Sequence, residues 1–209
     1  VEKVIVIGGG LAGSEAAWQL AKRGIKVILY EMKPKRFSPA HKSSFLAELV
    51  CSNSLKSLEL NTAHGLLKEE MKRLDSLIIK EAFASRVPAG SALAVDREEF
   101  SRRITERLMS LPNLEIIREE VTEIPKEGFV IIATGPLTSA PLMKEIAKLT
   151  EKECLHFYDA TSPIVTAESI DFTKAFKASR YGKGGEDYVN CPMTREEYYR
   201  FVEELLKAE

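Results

Sequence analysis

The opening stretch VEKVIVIGGGLAGSEAAWQLAKRGIKVILYE leaves the chain few folds to choose from. Val4, Ile5, Val6 and Ile7 form a short apolar run, as a parallel strand covered on both faces requires. Gly8, Gly10 and Gly13 take the first, third and sixth places of G-x-G-x-x-G. Ala12, Ala16, Ala17, Leu20 and Ala21 then give a small apolar face at helical spacing. Lys26 to Tyr30 is a second apolar run, closed by Glu31. Strand, glycine turn, helix, strand and acid together make a dinucleotide-binding unit of the Rossmann-like α/β kind.

Each residue type has a physical task there. Gly8 turns the chain sharply out of the strand, Gly10 lets a pyrophosphate approach the backbone, and Gly13 lets the helix lie close to the strand. The helix that opens through Leu11 and Ala12 offers unpaired N–H groups and the positive end of its dipole to phosphates. Glu31 is placed to accept hydrogen bonds from ribose hydroxyls, and its charge repels an additional ribose phosphate.

Further along, Met32 to Lys42 holds two prolines and several basic residues, and reads as a loop. A solvated connector and a basic loop near phosphates both fit it. Ser43 to Leu60 carries Cys51-Ser52-Asn53-Ser54, expected as a loop or helix start. A thiol beside such donors can be activated, although the residues alone favour a buried, inert one. Asn61 to Ala84 is expected as one helix on the spacing of Leu67, Met71, Leu74 and Ile78, with His64 in its first turn. Ala92 to Val95 is a strand. Asp96 caps a helix whose buried face is Phe100, Ile104 and Leu108. Leu114 to Ile117 and Glu120 to Ile124 read as short strands. Gly128 to Pro136 is a buried strand ending in Ala133-Thr134-Gly135, small residues where an open α/β sheet admits a ligand. Ser139 to Leu149 is a helix. Thr194 to Glu197 is a capping box for an amphipathic helix of Tyr198, Phe201, Val202 and Leu205 that runs to Glu209.

Composition excludes more than it selects. The chain has 209 residues, is 44% hydrophobic and carries a net charge of −1, so nothing global calls for nucleic acid. No apolar run approaches membrane-spanning length, and a strand at the very start leaves no place for a signal peptide. Cys51, Cys154 and Cys191 form no metal-like spacing, so no metal is expected, and a reducing cytoplasm suits them.

The early glycine unit with Glu31 and the late Ala133-Thr134-Gly135 resemble the two-part FAD signature of glutathione-reductase-like flavoproteins. Gly8 to Ala17, Cys51-Ser52-Asn53-Ser54-Leu55, Val95-Asp96-Arg97, Ala133 to Pro136, Tyr158-Asp159-Ala160 and Asn190-Cys191-Pro192-Met193-Thr194 are similar to the folate- and FAD-dependent tRNA (uracil-5-)-methyltransferases. The cysteine motif and the Asn-Cys-Pro-Met-Thr segment are the specific ones. The resemblance implies a Rossmann-like FAD-binding domain over residues 1–150 and the start of an inserted α+β domain over 151–209. Family members are about twice as long, so an N-terminal part is expected, with a second catalytic cysteine beyond Glu209.

The resemblance further implies methyl transfer from 5,10-methylenetetrahydrofolate to C5 of the T-loop uridine of tRNA, with NAD(P)H as reductant. Cys51 becomes the catalytic residue. Gly8, Gly9, Gly10, Leu11, Ala12, Gly13, Glu31, Ser52, Asn53, Arg97, Ala133, Thr134 and Gly135 become the cofactor-binding set. Cys191 belongs by resemblance to a structural motif, and Cys154 reads as structural. For tRNA, two basic clusters are dense enough to follow phosphates: Lys33, Lys35, Arg36 and Lys42, and the favoured Lys174, Lys177, Arg180 and Lys183. An FAD-holding fragment without turnover and a different tRNA-modifying or NAD(P)H-dependent flavoprotein stay open beside this reading. The oligomeric state is not legible.

Overall fold

The structure, a computed structural model, describes residues 3–151 and 165–208. In chain order its elements are β1 (Val4–Ile7), α1 (Leu11–Lys22), β2 (Val27–Tyr30), β3 (Ser54–Ser57), α2 (Ala63–Arg73), α3 (Leu77–Ala84), β4 (Arg86–Val87), β5 (Ala92–Val95), α4 (Arg97–Met109), β6 (Leu114–Ile117), β7 (Phe129–Ile132), α5 (Ala140–Thr150), β8 (Phe176–Arg180), β9 (Lys183–Asn190) and α6 (Arg195–Lys207). They fall into two compact units, one of Val1–Val87 with Ala92–Ser162, the other of Pro88–Ser91 with Pro163–Glu209. The expected Tyr158-Asp159-Ala160 motif and Cys154 lie outside the described residues.

The first unit is built on a parallel sheet in the order β6-β2-β1-β7. Val4 pairs with Val27 and with Phe129, so the glycine turn after Ile7 and the Ala133-Thr134-Gly135 turn after Ile132 leave the sheet at the same level. Alternation along β1 splits the core. Val4 and Val6, with Val27 and Leu29, join Ala17 and Ala21 of α1, Leu77 and Ile78 of α3, and Phe100, Ile104 and Leu108 of α4. Ile5 and Ile7 turn the other way, to Leu142 and Ile146 of α5. A small antiparallel sheet, β3-β5-β4, completes the unit. This is the α/β, Rossmann-like architecture read from the first residues.

Several local expectations are corrected. Of the run expected as a loop or helix start, Cys51 to Asn53 is loop, and Ser54–Ser57 is a strand because its backbone pairs with β5. The helix expected over 61–84 is two helices. Asp75 takes a positive φ of 56°, and Ser76 caps α3 by accepting from the Ile79 amide at 3.2 Å. Glu15 of α1 holds that break, its Oε2 accepting from Ser76 Oγ at 2.7 Å and from the Ile78 amide at 3.0 Å. Asp75-Ser76 before an apolar run is itself an N-cap signal that could have revealed the division. Leu67 and Leu74, two of the four residues whose spacing suggested a single helix, are exposed. Residues 120–124 form no strand; Val121 and Ile124 cover Ile5 and Ile7 from a loop. β7 is at the end of the sheet, and Phe129 is 63% exposed, because only its other face, with Val130 and Ile132, is packed over. Ala12, assigned to the helix's packed face, is exposed; Gly13, Ser14, Ala17 and Ala21 make that face.

In the second unit β8 and β9 form an antiparallel hairpin. Asp187 Oδ2 accepts from the Gly90 amide at 2.7 Å, and the Tyr188 hydroxyl donates to the Ala89 carbonyl at 3.0 Å. A Cβ at Gly184 would stand 2.5 Å from the Gly90 Cα, so this contact requires glycine. The capping box of α6 is present: Thr194 Oγ1 accepts from the Glu197 amide at 3.2 Å, and Glu197 accepts from the Thr194 amide at 2.7 Å. The helix ends at Lys207, and none of its residues is buried, so its expected apolar stripe faces outward.

Candidate functional site

The two turns at the carboxyl end of the parallel sheet bound a cleft of about 320 Å³. Gly8, Gly9, Gly10, Leu11 and Ala12 line one side, Ala133, Thr134 and Gly135 another, and Glu31 a third. The parallel register of β1, β2 and β7 is what brings these distant segments together, at the strand ends where such sheets take ligands.

The glycines of the turn differ in why they are needed. A Cβ on Gly13 would lie 1.8 Å from the Gly8 carbonyl oxygen, so Gly13 sits in the helix–turn packing rather than in the cleft. Gly8 has φ 101°, and a Cβ there would stand 2.8 Å from the Ala133 carbonyl oxygen. A Cβ on Gly9 would meet Leu46 Cδ2 at 2.5 Å and Glu31 Oε2 at 2.8 Å. Gly10 is the exception. Its φ is −73°, and a Cβ would meet no atom within 4 Å. Folding alone does not require glycine at position 10, which borders open space in the cleft. The helix that starts there has no side-chain cap, so its first-turn amides point to the cleft without a local acceptor.

Glu31 is buried at 7% exposure. Its Oε2 accepts from the Gly9 amide at 2.9 Å and its Oε1 from the Lys33 amide at 3.0 Å. The carboxylate therefore ties the glycine turn to the end of β2, and each oxygen keeps acceptor capacity toward the cleft. Beside it, burial lowers the pKa of Arg118, against the pull of the Glu31 charge. The Arg118 guanidinium donates to the Lys33 carbonyl at 3.2 Å and to the Ser44 carbonyl at 3.0 Å, closing the loop over the end of β2. Thr134 and Thr138 share a hydroxyl hydrogen bond of 2.6 Å, which stiffens the other turn.

The basic loop is largely committed. Lys33 is buried, and its Nζ pairs with Glu48 at 2.9 Å and donates to the Phe45 carbonyl at 2.9 Å. Burial pushes the Glu48 carboxyl up, but the Lys42 amide, the Lys33 ammonium and the Ser43 amide outweigh it, and its pKa falls below the ordinary value. Arg36 pairs with both oxygens of Glu120 at 2.5 Å, and that bond, with help from Ser139, lowers the Glu120 pKa. Lys33 and Arg36 thus hold the loop rather than wait for phosphates.

Five of the expected site residues lie outside the cleft lining: Gly13, Cys51, Ser52, Asn53 and Arg97. Cys51 is exposed, which overturns the buried-thiol reading, and its neighbour Val50 lines the cleft. The run is positioned from β5, since Asn53 exchanges bonds with Val95: Nδ2 donates at 3.1 Å and the Asn53 carbonyl accepts from the Val95 amide at 3.0 Å. Ser52 Oγ accepts from the Ser54 amide at 3.1 Å. Arg97 is half-buried at the first turn of α4. His41 of the basic loop lines the cleft, and so do Glu119, Glu120, Thr138 and Ser139, which were not anticipated because no motif marks loop residues that arrive by packing. Among the described residues there is no group of His, Cys, Asp or Glu arranged for a metal, and no helix long and apolar enough to cross a membrane.

Comparison with known proteins agrees with this architecture. The family described as glucose inhibited division protein A matches residues 3–209. The Dictyoglomus thermophilum protein named methylenetetrahydrofolate--tRNA-(uracil-5-)-methyltransferase TrmFO is 62% identical over 209 residues, all of this chain and 48% of that protein. The Aquifex aeolicus protein of the same name is 64% identical over 208 residues, 47% of its length. The chain therefore spans about half the length of these relatives. Among solved structures, Aquifex aeolicus GidA superposes with a TM-score of 0.52 over 64% of this chain and 25% of its own, at 19% identity, a likeness of fold.

Proposed function

The chain belongs to the glucose inhibited division protein A family, and from that premise we propose that it is the cofactor-binding half of a folate- and FAD-dependent tRNA (uracil-5-)-methyltransferase. The reaction moves a one-carbon unit from 5,10-methylenetetrahydrofolate to C5 of the T-loop uridine, with NAD(P)H as reductant, in the cytoplasm where tRNA is modified. What carries the reading is identity of 62% across the whole chain with a protein of that name. The glycine cradle independently supports a dinucleotide, since Gly10 keeps open a space that the protein does not fill. FAD, when bound, supplies the electrons that take the transferred carbon to the methyl level.

The residues divide the work. The Gly8 to Gly13 turn and the uncapped start of α1 hold the pyrophosphate. Glu31 accepts from a ribose hydroxyl through the lone pairs that the Gly9 and Lys33 amides leave. Ala133, Thr134 and Gly135 allow close approach on the opposite side. Cys51 supplies a thiolate, either adding to uracil C6 so that C5 becomes nucleophilic or carrying the carbon unit. Ser52 and Asn53 shape its loop, and Arg97, outside the cleft lining, is assigned to the cofactor by the family resemblance alone. Residues 151–209 are the start of an inserted, tRNA-facing domain.

The test is ribothymidine formation in tRNA by the full-length protein with saturating folate and NAD(P)H. Cys51→Ala should lower turnover by about a hundredfold or more, because alanine has no nucleophile to offer. Cys191→Ala should stay near normal. Near-normal turnover in Cys51→Ala removes the catalytic assignment. A yellow protein without carbon transfer points to an FAD-holding fragment, and NAD(P)H oxidation indifferent to folate and tRNA points to another flavoprotein.

A further inference from the structure

The turn joining β8 to β9 contains a residue that its own fold does not favour. Arg180 and Lys183 pair across the hairpin, leaving Tyr181 and Gly182 as a two-residue turn. Both have positive φ, 57° and 67°. Turns of this kind prefer Asn, Asp or Gly, whereas an L side chain with a bulky ring is disfavoured in the left-handed region. Tyr181 is 87% exposed, its ring touching the neighbouring Arg180 guanidinium. A ring held at a strained tip and left in solvent has its use in a contact made outside the chain.

The surroundings indicate the chemistry of that contact. The Arg180 guanidinium carbon lies 5.8 Å from the Tyr181 ring centroid and 5.9 Å from that of Tyr188, so the cation stands between two rings. Lys177 and Lys183 are exposed on the same hairpin. Of its acids, Asp187 is bonded to the Gly90 amide, which leaves Glu186 as the carboxylate facing outward among the described hairpin residues. The combination is an aromatic face flanked by cations, as in modules that bind single-stranded nucleic acid. A duplex offers phosphates to lysines but no base face to a ring; an unpaired base offers both.

We propose that Tyr181 is a stacking platform for an unpaired base of the RNA substrate, with Arg180 and Lys177 following the adjoining phosphates. This rests on the reading of tRNA as substrate and adds which part of it the hairpin takes: a loop base rather than a stem.

The experiment measures binding of the full-length protein to two RNA probes, a stem-loop of T-arm sequence and the blunt duplex of its stem. Tyr181→Asn suits the turn better, so its melting temperature should equal or exceed wild type, which separates lost contact from lost folding. Its affinity for the stem-loop should fall by about tenfold or more while duplex binding holds, and Tyr181→Trp should keep stem-loop affinity. Stem-loop binding by Tyr181→Asn equal to wild type overturns the platform, leaves the tRNA reading standing, and makes a protein the remaining partner for the ring. Equal losses for stem-loop and duplex also overturn it. A wild-type protein that binds neither probe removes the tRNA reading, and the platform with it.

Discussion

The Gly9 amide donates to Glu31 Oε2 at 2.9 Å, across a separation of twenty-two residues. The same oxygen would stand 2.8 Å from a Cβ at position 9. One contact therefore makes two demands: an acid at the end of β2, and no side chain on the second residue of the turn.

Replacing Glu31 with Gln keeps the shape and turns one acceptor oxygen into a donor facing a donor. Stability should fall by about 1–3 kcal/mol, the cost of a buried amide left without its acceptor. FAD affinity should fall by about one to two orders of magnitude as the ribose loses its charged acceptor. Flavin titration and thermal denaturation read the two effects separately. An unchanged titration would place the ribose elsewhere.

Gly10→Ala and Gly13→Ala should part company. At position 10 the new Cβ meets no protein atom and φ is compatible, so stability should hold or rise by about 0.5 kcal/mol, while flavin binding weakens. At position 13 the Cβ would lie 1.8 Å from the Gly8 carbonyl oxygen, and the protein should fail to accumulate as a folded species. If Gly10→Ala binds FAD normally, the pyrophosphate is not at that amide.

Glu81 is fully buried between α3 and α4, with Arg103 at 2.7 Å and Arg107 at 3.3 Å. Removing one partner of a buried pair costs about 3–5 kcal/mol; here only Glu81 is fully buried, the Arg103 side chain is 32% exposed and the second arginine remains, so Arg103→Ala should cost about 2 kcal/mol. Arg107, more exposed and more distant, should matter less. Chemical denaturation of the two variants gives the order, and equal losses would deny Arg103 its larger share.

Glu48 sets an acid limit on the loop before Cys51. Its folded pKa lies below the ordinary carboxyl value of 4.5. The stabilisation is therefore present above that pH and is lost as pH falls through the folded value. Glu48→Gln should be less stable than wild type at neutral pH, and the gap should close in acid. Melting temperature followed from pH 7 downward checks this, and a gap that persists unchanged in acid would contradict it.

Much of the fold could be read because its signals are local. Val4 to Ile7, the glycine spacing and Glu31 are adjacent in the chain, and their register follows from strand period and turn length. Asp96 capping α4 and Thr194 capping α6 were legible for the same reason: a cap needs only residues three apart. The break at Asp75-Ser76 carried its own cap signal but was masked by an apolar spacing that continues across it.

What no stretch of sequence could show was which groups meet at long range. Lys33 reads as a loop cation until packing places Glu48 beside it, and Cys51 reads as a buried thiol until Asn53 is tied to β5 and leaves it exposed. The apolar residues of α6 and β7 likewise read as core, yet Phe201 and Phe129 face outward among the described residues. Periodicity says which side of an element is apolar; whether anything covers that side depends on neighbours distant in the chain, and only the tertiary structure supplies them.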